Sequence, residues 1–221
     1  MSTNHGQGEG VSMDMQRRVK RLQDIVLALL ILILTLPVLV VAALLVRIQL
    51  GSPILFTQER TGQWQLPIRI FKIRTMSDER DAAGDLLPDG LRCGPVGRTL
   101  RRLSIDELPQ LINVLRGDLS LVGPRPLLPR YDAWYDDRER RRFDMRPGIT
   151  GLAQVHGRNS VVWDRRLALD VRYVEQWNLW LDLRILAATV SMVLTGRGVA
   201  VDPSAEMLDL DKERELKCAS T

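Results

Sequence analysis

A long apolar segment near the N-terminus dominates the hydropathy pattern of the chain. Residues 25–46 carry no charged side chain. A straight helix over them would reach about 33 Å, enough for a hydrocarbon core of about 30 Å. Basic residues flank the segment on both sides, so the positive-inside rule assigns no orientation. Pro37 lies near the middle, where a proline kinks a helix. We predict a membrane-embedded segment over residues 16–50, and the residues alone favour a span over a bend at Pro37.

Shorter patterns divide the remainder of the chain. Residues 54–57 and 66–71 flank a turn-like sequence at 60–63, which predicts a β-hairpin. Charged side chains, glycine and proline fill residues 77–99, which predicts a loop. Helical spacing prevails elsewhere, so the expected fold is mostly α with a small β-hairpin, an α+β fold. Composition predicts a disordered tail at residues 1–15 and a charged C-terminal tail at residues 201–221.

Two later segments combine charges with aromatic rings. Residues 130–143 mix acidic and basic side chains, which predicts an exposed helix held by local ion pairs. Four further rings lie among arginines, at Trp163, Tyr173, Trp177 and Trp180. Such helices suit the bilayer interface, where rings lie at headgroup depth and cations meet anionic lipid. Ordinary core packing explains some of the rings equally well. We expect interfacial amphipathic helices here.

The candidate reaction centre is a pair of adjacent carboxylates, Asp106 and Glu107. Apolar residues recur at helical spacing over residues 108–115, and Gly117 is a typical helix stop. The pair is therefore predicted to lie in the first turn of a helix. That position keeps a carboxylate ionised and leaves backbone donors for a phosphate. The alternative is a capping box, in which Ser104 and Glu107 satisfy the helix end and Asp106 only complements its dipole.

Neighbouring residues argue that the pair does more than cap a helix. Arg101 and Arg102 precede it, although cations beside a helix N-terminus have the wrong sign for its dipole. Pro109 has no N–H, so one early carbonyl would remain unpaired. Arg125 lies between two prolines, which fixes a guanidinium fork suited to phosphate oxygens. Lys72 lies at the end of the second predicted strand, where a solvated charge is the ordinary interpretation.

Composition narrows the function classes. A formal net charge of +4 over 221 residues is not the dense basic stripe of a nucleic-acid-binding protein, so nucleic acid is not an expected partner. Cys93 and Cys218 are far apart and unaccompanied, which indicates neither a disulfide framework nor a structural zinc site. The sequence also contains no phosphate-binding Gly-Lys-Ser/Thr loop and no dinucleotide fingerprint.

Four motifs resemble the signature of the bacterial sugar transferases, and specifically of the small single-hairpin phosphoglycosyl transferases that act on polyprenyl phosphates. They are residues 71–76 (FKIRTM), 104–107 (SIDE), 123–126 (GPRP) and 146–151 (RPGITG). The resemblance extends over residues 16–198. The run at residues 77–87 is most similar to the members that transfer diacetylbacillosamine phosphate.

The resemblance implies a membrane topology. In the family, the segment corresponding to residues 16–50 is a re-entrant helix-break-helix hairpin that bends at the proline, here Pro37. The hairpin enters and leaves on the cytoplasmic face of the bacterial inner membrane. Residues 51–200 would then form the catalytic domain on that face, in contact with membrane lipid.

The resemblance also implies a reaction. Lys72, Arg101 and Arg125 would bind substrate phosphates, together with Mg²⁺ held by Asp106 and Glu107. Asp106 would attack the sugar-bearing phosphorus of a UDP-sugar, such as UDP-diacetylbacillosamine, and expel UMP. Undecaprenyl phosphate would then accept the sugar phosphate, and downstream glycosyltransferases are candidate partners.

A non-catalytic alternative remains open. The chain could be a membrane-attached scaffold of a glycan-assembly complex, with the carboxylate pair acting only as a helix cap. Substitution Asp106→Asn separates the two hypotheses, because asparagine caps a helix well but cannot act as the nucleophile.

Overall fold

A computed structural model of the chain describes residues 5–157, 162–195 and 208–219. The helices are α1 (His5–Leu50), α2 (Asp89–Arg92), α3 (Pro95–Arg102), α4 (Gln110–Arg116), α5 (Leu152–Val155), α6 (Trp163–Gln176), α7 (Leu179–Thr195) and α8 (Leu210–Ala219). The strands are β1 (Leu55–Thr61), β2 (Pro67–Ile73), β3 (Ser120–Val122) and β4 (Gly148–Thr150). The predicted mostly-α fold with a β-hairpin is confirmed.

Helix α1 is continuous from His5 to Leu50 and passes through Pro37 without interruption. The hydroxyl of Thr35 donates a 2.7 Å hydrogen bond to the carbonyl of Ile31, one turn earlier. The secondary structure thus shows no gap at Pro37, and the predicted bend at this residue stays a prediction. Pro37 leaves the carbonyl of Ile33 without its helical N–H donor, and a threonine hydroxyl bonded to the carbonyl one turn earlier often bends a helix.

The helix also begins earlier than predicted. Residues 5–15 belong to α1, whereas the composition predicts a disordered tail there. Once a helix is nucleated, each further residue adds one hydrogen bond, so a polar segment can extend a stable apolar helix. Residues 1–4 of the predicted tail lie outside the described residues.

Among the described residues, one helix is long and apolar enough to cross a membrane, namely residues 14–50 of α1. Only 11% of its most apolar stretch is buried, so it is not the core helix of a water-soluble domain. Large apolar side chains, including Ile33, Leu34 and Val41, are more than half exposed. A contiguous surface of this kind is typical of contact with lipid and agrees with the predicted membrane segment.

One stripe of α1 packs against the rest of the protein. Its buried members recur at helical spacing and are Lys20, Asp24, Ala28, Ala42 and Val46. The Nζ atom of Lys20 lies 2.6 Å from the carboxylate of Asp182 and 3.0 Å from the carbonyl of Val122. Helix α1 is thus fixed to both α7 and β3 by buried polar contacts.

Two further polar contacts strengthen this attachment. The carboxylate of Asp24 accepts hydrogen bonds from the Ser120 hydroxyl at 2.8 Å and the Leu121 N–H at 3.0 Å. The guanidinium of Arg21 donates to the carbonyls of Val114 and Leu115 at the end of α4. The Val114 carbonyl also accepts a 3.1 Å hydrogen bond from the N–H of Gly117, so Arg21 adds a side-chain cap to the backbone cap of α4.

The predicted hairpin forms from β1 and β2, which pair antiparallel with Arg60 opposite Ile68. Because β1 extends to Thr61, the turn begins at Gly62 rather than at residue 60. A second, parallel pair of β3 and β4 was not predicted. Strands of three residues are too short to produce an alternating pattern. This pair places the GPRP segment, residues 123–126, beside the chain that enters β4.

Residues 130–143 do not form the predicted exposed helix. They contribute to two 3₁₀ segments, Pro129–Trp134 and Glu139–Asp144. Three of their rings, Tyr131, Tyr135 and Phe143, are buried in a second core. Local charge pattern cannot predict this burial, because the rings pack against residues far away in the sequence.

The end of the chain is part of this second core. Leu210 at the start of α8 is fully buried in it, so residues 208–219 are not a free charged tail. Residues 201–207 lie outside the described residues. Of the four rings predicted at the membrane interface, Trp163, Tyr173 and Trp177 are buried, and Trp180 is 65% exposed. Core packing therefore accounts for three of them.

Candidate active site

The carboxylate pair lies between two helices rather than in the first turn of one. Helix α3 ends at Arg102, Ser104 adopts a left-handed φ of 55°, and Ile105–Glu107 form one 3₁₀ turn before α4 begins at Gln110. The predicted first-turn position is wrong because Pro109, which has no N–H, interrupts the hydrogen-bond ladder between this 3₁₀ turn and α4. The capping box is not formed either, since no side-chain cap bond is made at Ser104.

Glu107 is held by two of the predicted cations. Its Oε1 atom lies 2.8 Å from Nζ of Lys72 and 2.8 Å from Nη2 of Arg125. Burial alone would raise the pKa of Glu107, but Arg125 and Lys72 outweigh burial and hold that pKa below its usual range. Glu107 therefore remains ionised and links the end of β2 to the segment after β3.

Asp106 has a different environment, although it is also buried, with 8% exposure. Within the described ranges, no lysine or arginine nitrogen lies within 4.0 Å of its carboxylate. Burial and the charge of Glu107 raise the pKa of Asp106 to about 6, against the opposing effects of Lys72 and Arg101. Such a carboxylate is mostly ionised at pH 7 and more basic than an ordinary aspartate, which suits a nucleophile.

Arg101 acts on Asp106 without pairing with it. It lies in the last turn of α3, and its Nε atom donates a 3.0 Å hydrogen bond to the hydroxyl of Thr75. Its Nη2 atom lies 3.4 Å from the sulfur of Met76. The structure thus brings together five of the predicted site residues. Pro37, the predicted membrane break, lies apart from them in α1.

The sequence interpretation missed Asn113, which joins the elements of the site. Its side chain is fully buried in α4. It accepts a 3.1 Å hydrogen bond from the N–H of Phe71 and donates one of 2.7 Å to the carbonyl of Arg69. It also donates to the carboxylate of Asp118 at 3.0 Å. These bonds fix β2, and with it Lys72, against the helix that follows the carboxylate pair.

A buried ion pair behind Arg125 was missed as well. Arg142 and Asp170 are almost completely buried, with 2.8 Å between Nη2 and Oδ2. The same Nη2 atom donates a 2.6 Å hydrogen bond to the carbonyl of Arg125. Sequence periodicity gives no signal for this arrangement, because its members lie on a 3₁₀ segment, on α6 and after β3.

The predicted Mg²⁺ site consists of two adjacent carboxylates. The part of the chain that the structure describes contains no group of three or more His, Cys, Asp or Glu side chains that could hold a metal. Mg²⁺ is commonly held by one or two carboxylates together with water and substrate phosphates. Asp106 and Glu107 fit this way of holding Mg²⁺, in which water and substrate phosphates supply the remaining ligands. Of the two, Asp106 is the carboxylate that makes no ion pair with a described residue.

Taken together, these residues can place a buried carboxylate against an anionic phosphate. Two cations neutralise Glu107, so its charge does not repel an incoming anion as strongly as a free carboxylate would. Arg101 adds a positive charge near Asp106 from the opposite helix. Cations fixed in position before a substrate arrives are the arrangement that stabilises charge at a transferring phosphoryl group.

Comparison with known proteins identifies related sequences. The family model described as "Bacterial sugar transferase" matches residues 15–196. The uncharacterized sugar transferase EpsL of Bacillus subtilis is 49% identical over 181 residues, which cover 82% of this chain and 90% of that protein. The UDP-glucose:undecaprenyl-phosphate glucose-1-phosphate transferase of Caulobacter vibrioides is 43% identical over 196 residues, covering 84% and 72% of the two chains.

A third relative is named for a different sugar. The UDP-N-acetylgalactosamine-undecaprenyl-phosphate N-acetylgalactosaminephosphotransferase of Aeromonas hydrophila is 38% identical over 189 residues. The alignment covers 81% of this chain and 44% of that protein.

Proposed function

The chain belongs to the bacterial sugar transferase family, and from that premise we propose that it transfers a sugar 1-phosphate from a UDP-sugar to undecaprenyl phosphate. Relatives named for this reaction, with glucose 1-phosphate or N-acetylgalactosamine phosphate as the group moved, support the proposal. The apolar surface of α1 supports a location at the membrane. A water-soluble donor and a lipid acceptor can meet only at the interface, and we place the domain on the cytoplasmic face of the bacterial inner membrane.

One observation carries the proposal, namely the different environments of the two adjacent carboxylates. Glu107 is bound by Lys72 and Arg125, whereas Asp106 is buried beside them with a raised pKa. Environments that push apart the pKa values of two neighbouring acids are typical of sites that give each acid its own role. Glu107 holds Lys72 and Arg125 in position, and Asp106 is the nucleophile.

The reaction proceeds in two displacements. An Oδ atom of Asp106 forms a bond to the sugar-bearing phosphorus of the donor, and the bond from that phosphorus to the bridging oxygen breaks. The bridging oxygen leaves with its electron pair as part of UMP. An oxygen of undecaprenyl phosphate then attacks the same phosphorus and expels the carboxylate of Asp106. The products are UMP and undecaprenyl diphospho-sugar, with the carboxylate regenerated.

The cations make this encounter of anions feasible. Lys72, Arg101 and Arg125 neutralise charge on the phosphoryl oxygens and on the departing group. Mg²⁺, bound through Asp106 and Glu107 together with the diphosphate, would supply additional positive charge and orientation.

For the sugar, we propose an N-acetylated donor, with UDP-diacetylbacillosamine as the first candidate. The support is the resemblance of residues 77–87 to members that use this sugar. These residues lie in the connection between β2 and α2, where Arg80 and Leu86 form an isolated bridge. A panel of UDP-sugars assayed with undecaprenyl phosphate for UMP release tests the choice. UDP-glucose turning over faster than every N-acetylated donor would overturn it.

The substitution Asp106→Asn tests the proposed function. We expect UMP release to fall to background while the thermal unfolding of the detergent-purified protein and its recovery in the membrane fraction stay unchanged. The matched control is Asp137→Asn, at an exposed position. Retained turnover in Asp106→Asn would overturn the catalytic assignment and favour a scaffold. The absence of a capping box at Ser104 argues against the scaffold interpretation.

A further inference from the structure

Arg60 is a cation that the proposed mechanism does not use. It lies near the end of β1, directly before Thr61, whose N–H donates a 3.0 Å hydrogen bond to the carbonyl of Leu127. The end of β1 is thereby fastened to the chain just beyond Arg125. The Arg60 side chain is half-buried, and its Nη2 atom donates to the side-chain oxygen of Gln58 at 2.5 Å.

The guanidinium of Arg60 is not neutralised by a neighbouring acid. Its Nε atom is buried and has no hydrogen-bond partner. In the described segments, no carboxylate oxygen lies within 4.0 Å of its nitrogens. Burial lowers the pKa of Arg60 to about 10, and repulsion from Arg125 adds to this effect. A cation taken out of water without a counter-ion costs free energy, which an arriving anion would recover.

Other buried arginines around the site have partners. Arg142 has the carboxylate of Asp170 and the carbonyl of Arg125. The guanidinium of Arg101 donates a hydrogen bond to the Thr75 hydroxyl and contacts the sulfur of Met76. Arg60 therefore differs from both, because its Nε–H makes no hydrogen bond to any described residue.

The position of Arg60 indicates which anion it would meet. Its charged neighbours include Arg125 and Glu107, and those of Asp106 include Glu107, Lys72, Arg101 and Arg125. The Glu107–Arg125 ion pair is thus the shared neighbour of Asp106 and Arg60. If the attacked phosphorus lies at Asp106, the second phosphorus is only one bridging oxygen away. Beyond the ion pair, Arg60 is a cation whose Nε–H has no hydrogen-bond partner among the described residues.

We infer that Arg60 and Arg125 together bind the phosphate of the donor that departs with the nucleoside. The inference rests on the proposed function and assigns one half of the diphosphate to a place in the site. As the bond between phosphorus and bridging oxygen breaks, negative charge collects on that oxygen and its phosphate. Arg60 stabilises this charge while Asp106 forms the new bond at the other phosphorus.

The test uses full-length protein in detergent or lipid nanodiscs with three variants. Arg60→Gln removes the charge, Arg60→Lys keeps the charge without the planar fork, and Arg69→Gln is the matched control. Arg69 lies on the facing strand β2, opposite Glu59, and its side chain is exposed. Four quantities are measured: the burst of UMP from donor alone, inhibition by added UMP, the KM for undecaprenyl phosphate, and the unfolding temperature.

For Arg60→Gln, we expect the burst rate to fall by about 10²-fold or more, the loss typical of one donor at a developing negative charge. Inhibition by UMP should weaken, and the KM for undecaprenyl phosphate should stay within about twofold of wild type. Arg60→Lys should recover part of the burst rate, and Arg69→Gln should match wild type. Thermal unfolding of Arg60→Gln should not fall, because the substitution removes an uncompensated buried charge.

Two results would overturn the assignment. A normal burst with a raised KM for undecaprenyl phosphate in Arg60→Gln would mean that Arg60 binds the acceptor phosphate instead. An unchanged burst with a lowered unfolding temperature would make it a structural residue. If wild-type protein releases UMP only when acceptor is present, the covalent step of the proposed function fails. Equilibrium binding of UMP to wild type and Arg60→Gln then decides the Arg60 assignment by itself, with equal affinities overturning it.

Discussion

The buried ion pair behind Arg125 provides the sharpest prediction about stability. Asp170→Asn removes the negative charge but keeps the shape of the side chain, which leaves Arg142 charged and uncompensated. The two side chains are only 2% and 1% exposed, so water cannot take over the lost interaction. Oδ2 of Asp170 accepts from Nη2 of Arg142 at 2.8 Å and from its Nε at 3.3 Å. Breaking such a pair costs about 3–5 kcal/mol.

A double-mutant cycle separates the pair from its surroundings. Arg142→Met removes the charge and also the hydrogen bond to the carbonyl of Arg125. The double variant Arg142→Met/Asp170→Asn has no unpaired charge, so its loss should be smaller than the sum of the single losses by about 1–3 kcal/mol. Its UMP burst should nevertheless stay slow, because the backbone of Arg125 has lost its donor.

Urea unfolding in nonionic detergent measures these losses, followed by intrinsic tryptophan fluorescence, to which the buried Trp163 contributes. The exposed pair of Arg141 and Glu175 provides the control, because Glu175→Gln should cost less than about 1 kcal/mol. Two outcomes would refute the reasoning. One is a loss below about 1 kcal/mol for Asp170→Asn, and the other is strict additivity of the two single losses, which would mean that the ions are not coupled.

Three further predictions concern packing, pH and the C-terminus. Gly97→Ala would place its Cβ 2.1 Å from the carbonyl oxygen of Thr75, so unfolding temperature and UMP release should both fall; unchanged values for both would contradict the close contact. Because the pKa of Glu107 is lowered on folding, its stabilisation is present above the ordinary pKa of about 4.3 and lost below it. The stability difference between wild type and Glu107→Gln, measured by urea unfolding, should therefore be constant from pH 8 to 7, rise slightly near pH 6 as protonation of Asp106 ends its repulsion of Glu107, and shrink below about pH 4; a difference that keeps growing below pH 4 would contradict this sign. Leu210→Ala should cost about 2–5 kcal/mol in the same assay, whereas a free tail would show no change on substitution at this fully buried position.

Local patterns in the sequence were sufficient to predict those structural features that depend on residues close together in the chain. The charge-free run at residues 25–46 predicted the membrane helix, and alternation predicted the hairpin of β1 and β2. Motif resemblance located Asp106, Glu107 and their cations. These features recur at short range or in fixed motifs, so they can be recognised without knowledge of the tertiary fold.

The failures share a different cause. Helical spacing from residue 108 onwards does not reveal that Asp106 and Glu107 lie in a separate 3₁₀ turn before α4. Charges near residues 130–143 and in α8 indicate solvent exposure, yet Arg142 is buried because Asp170, far along the chain, compensates it. Arg60 also has no local signal, since its environment depends on the pairing of β1 and on Arg125. Whether a charged side chain is buried depends on its partners in the tertiary structure, and the periodicity of the sequence does not predict those partners.

The attachment of α1 has a practical consequence for anyone who wishes to study the globular part by itself. Lys20 and Asp24 complete the polar contacts of Asp182 and Ser120, and Arg21 covers the last carbonyls of α4. Deleting the N-terminal helix to obtain a water-soluble fragment would remove one hydrogen-bond partner from each of these groups and expose the apolar surface that α1 covers. The protein should therefore be solubilised with α1 intact, in detergent or lipid nanodiscs, and not by truncation.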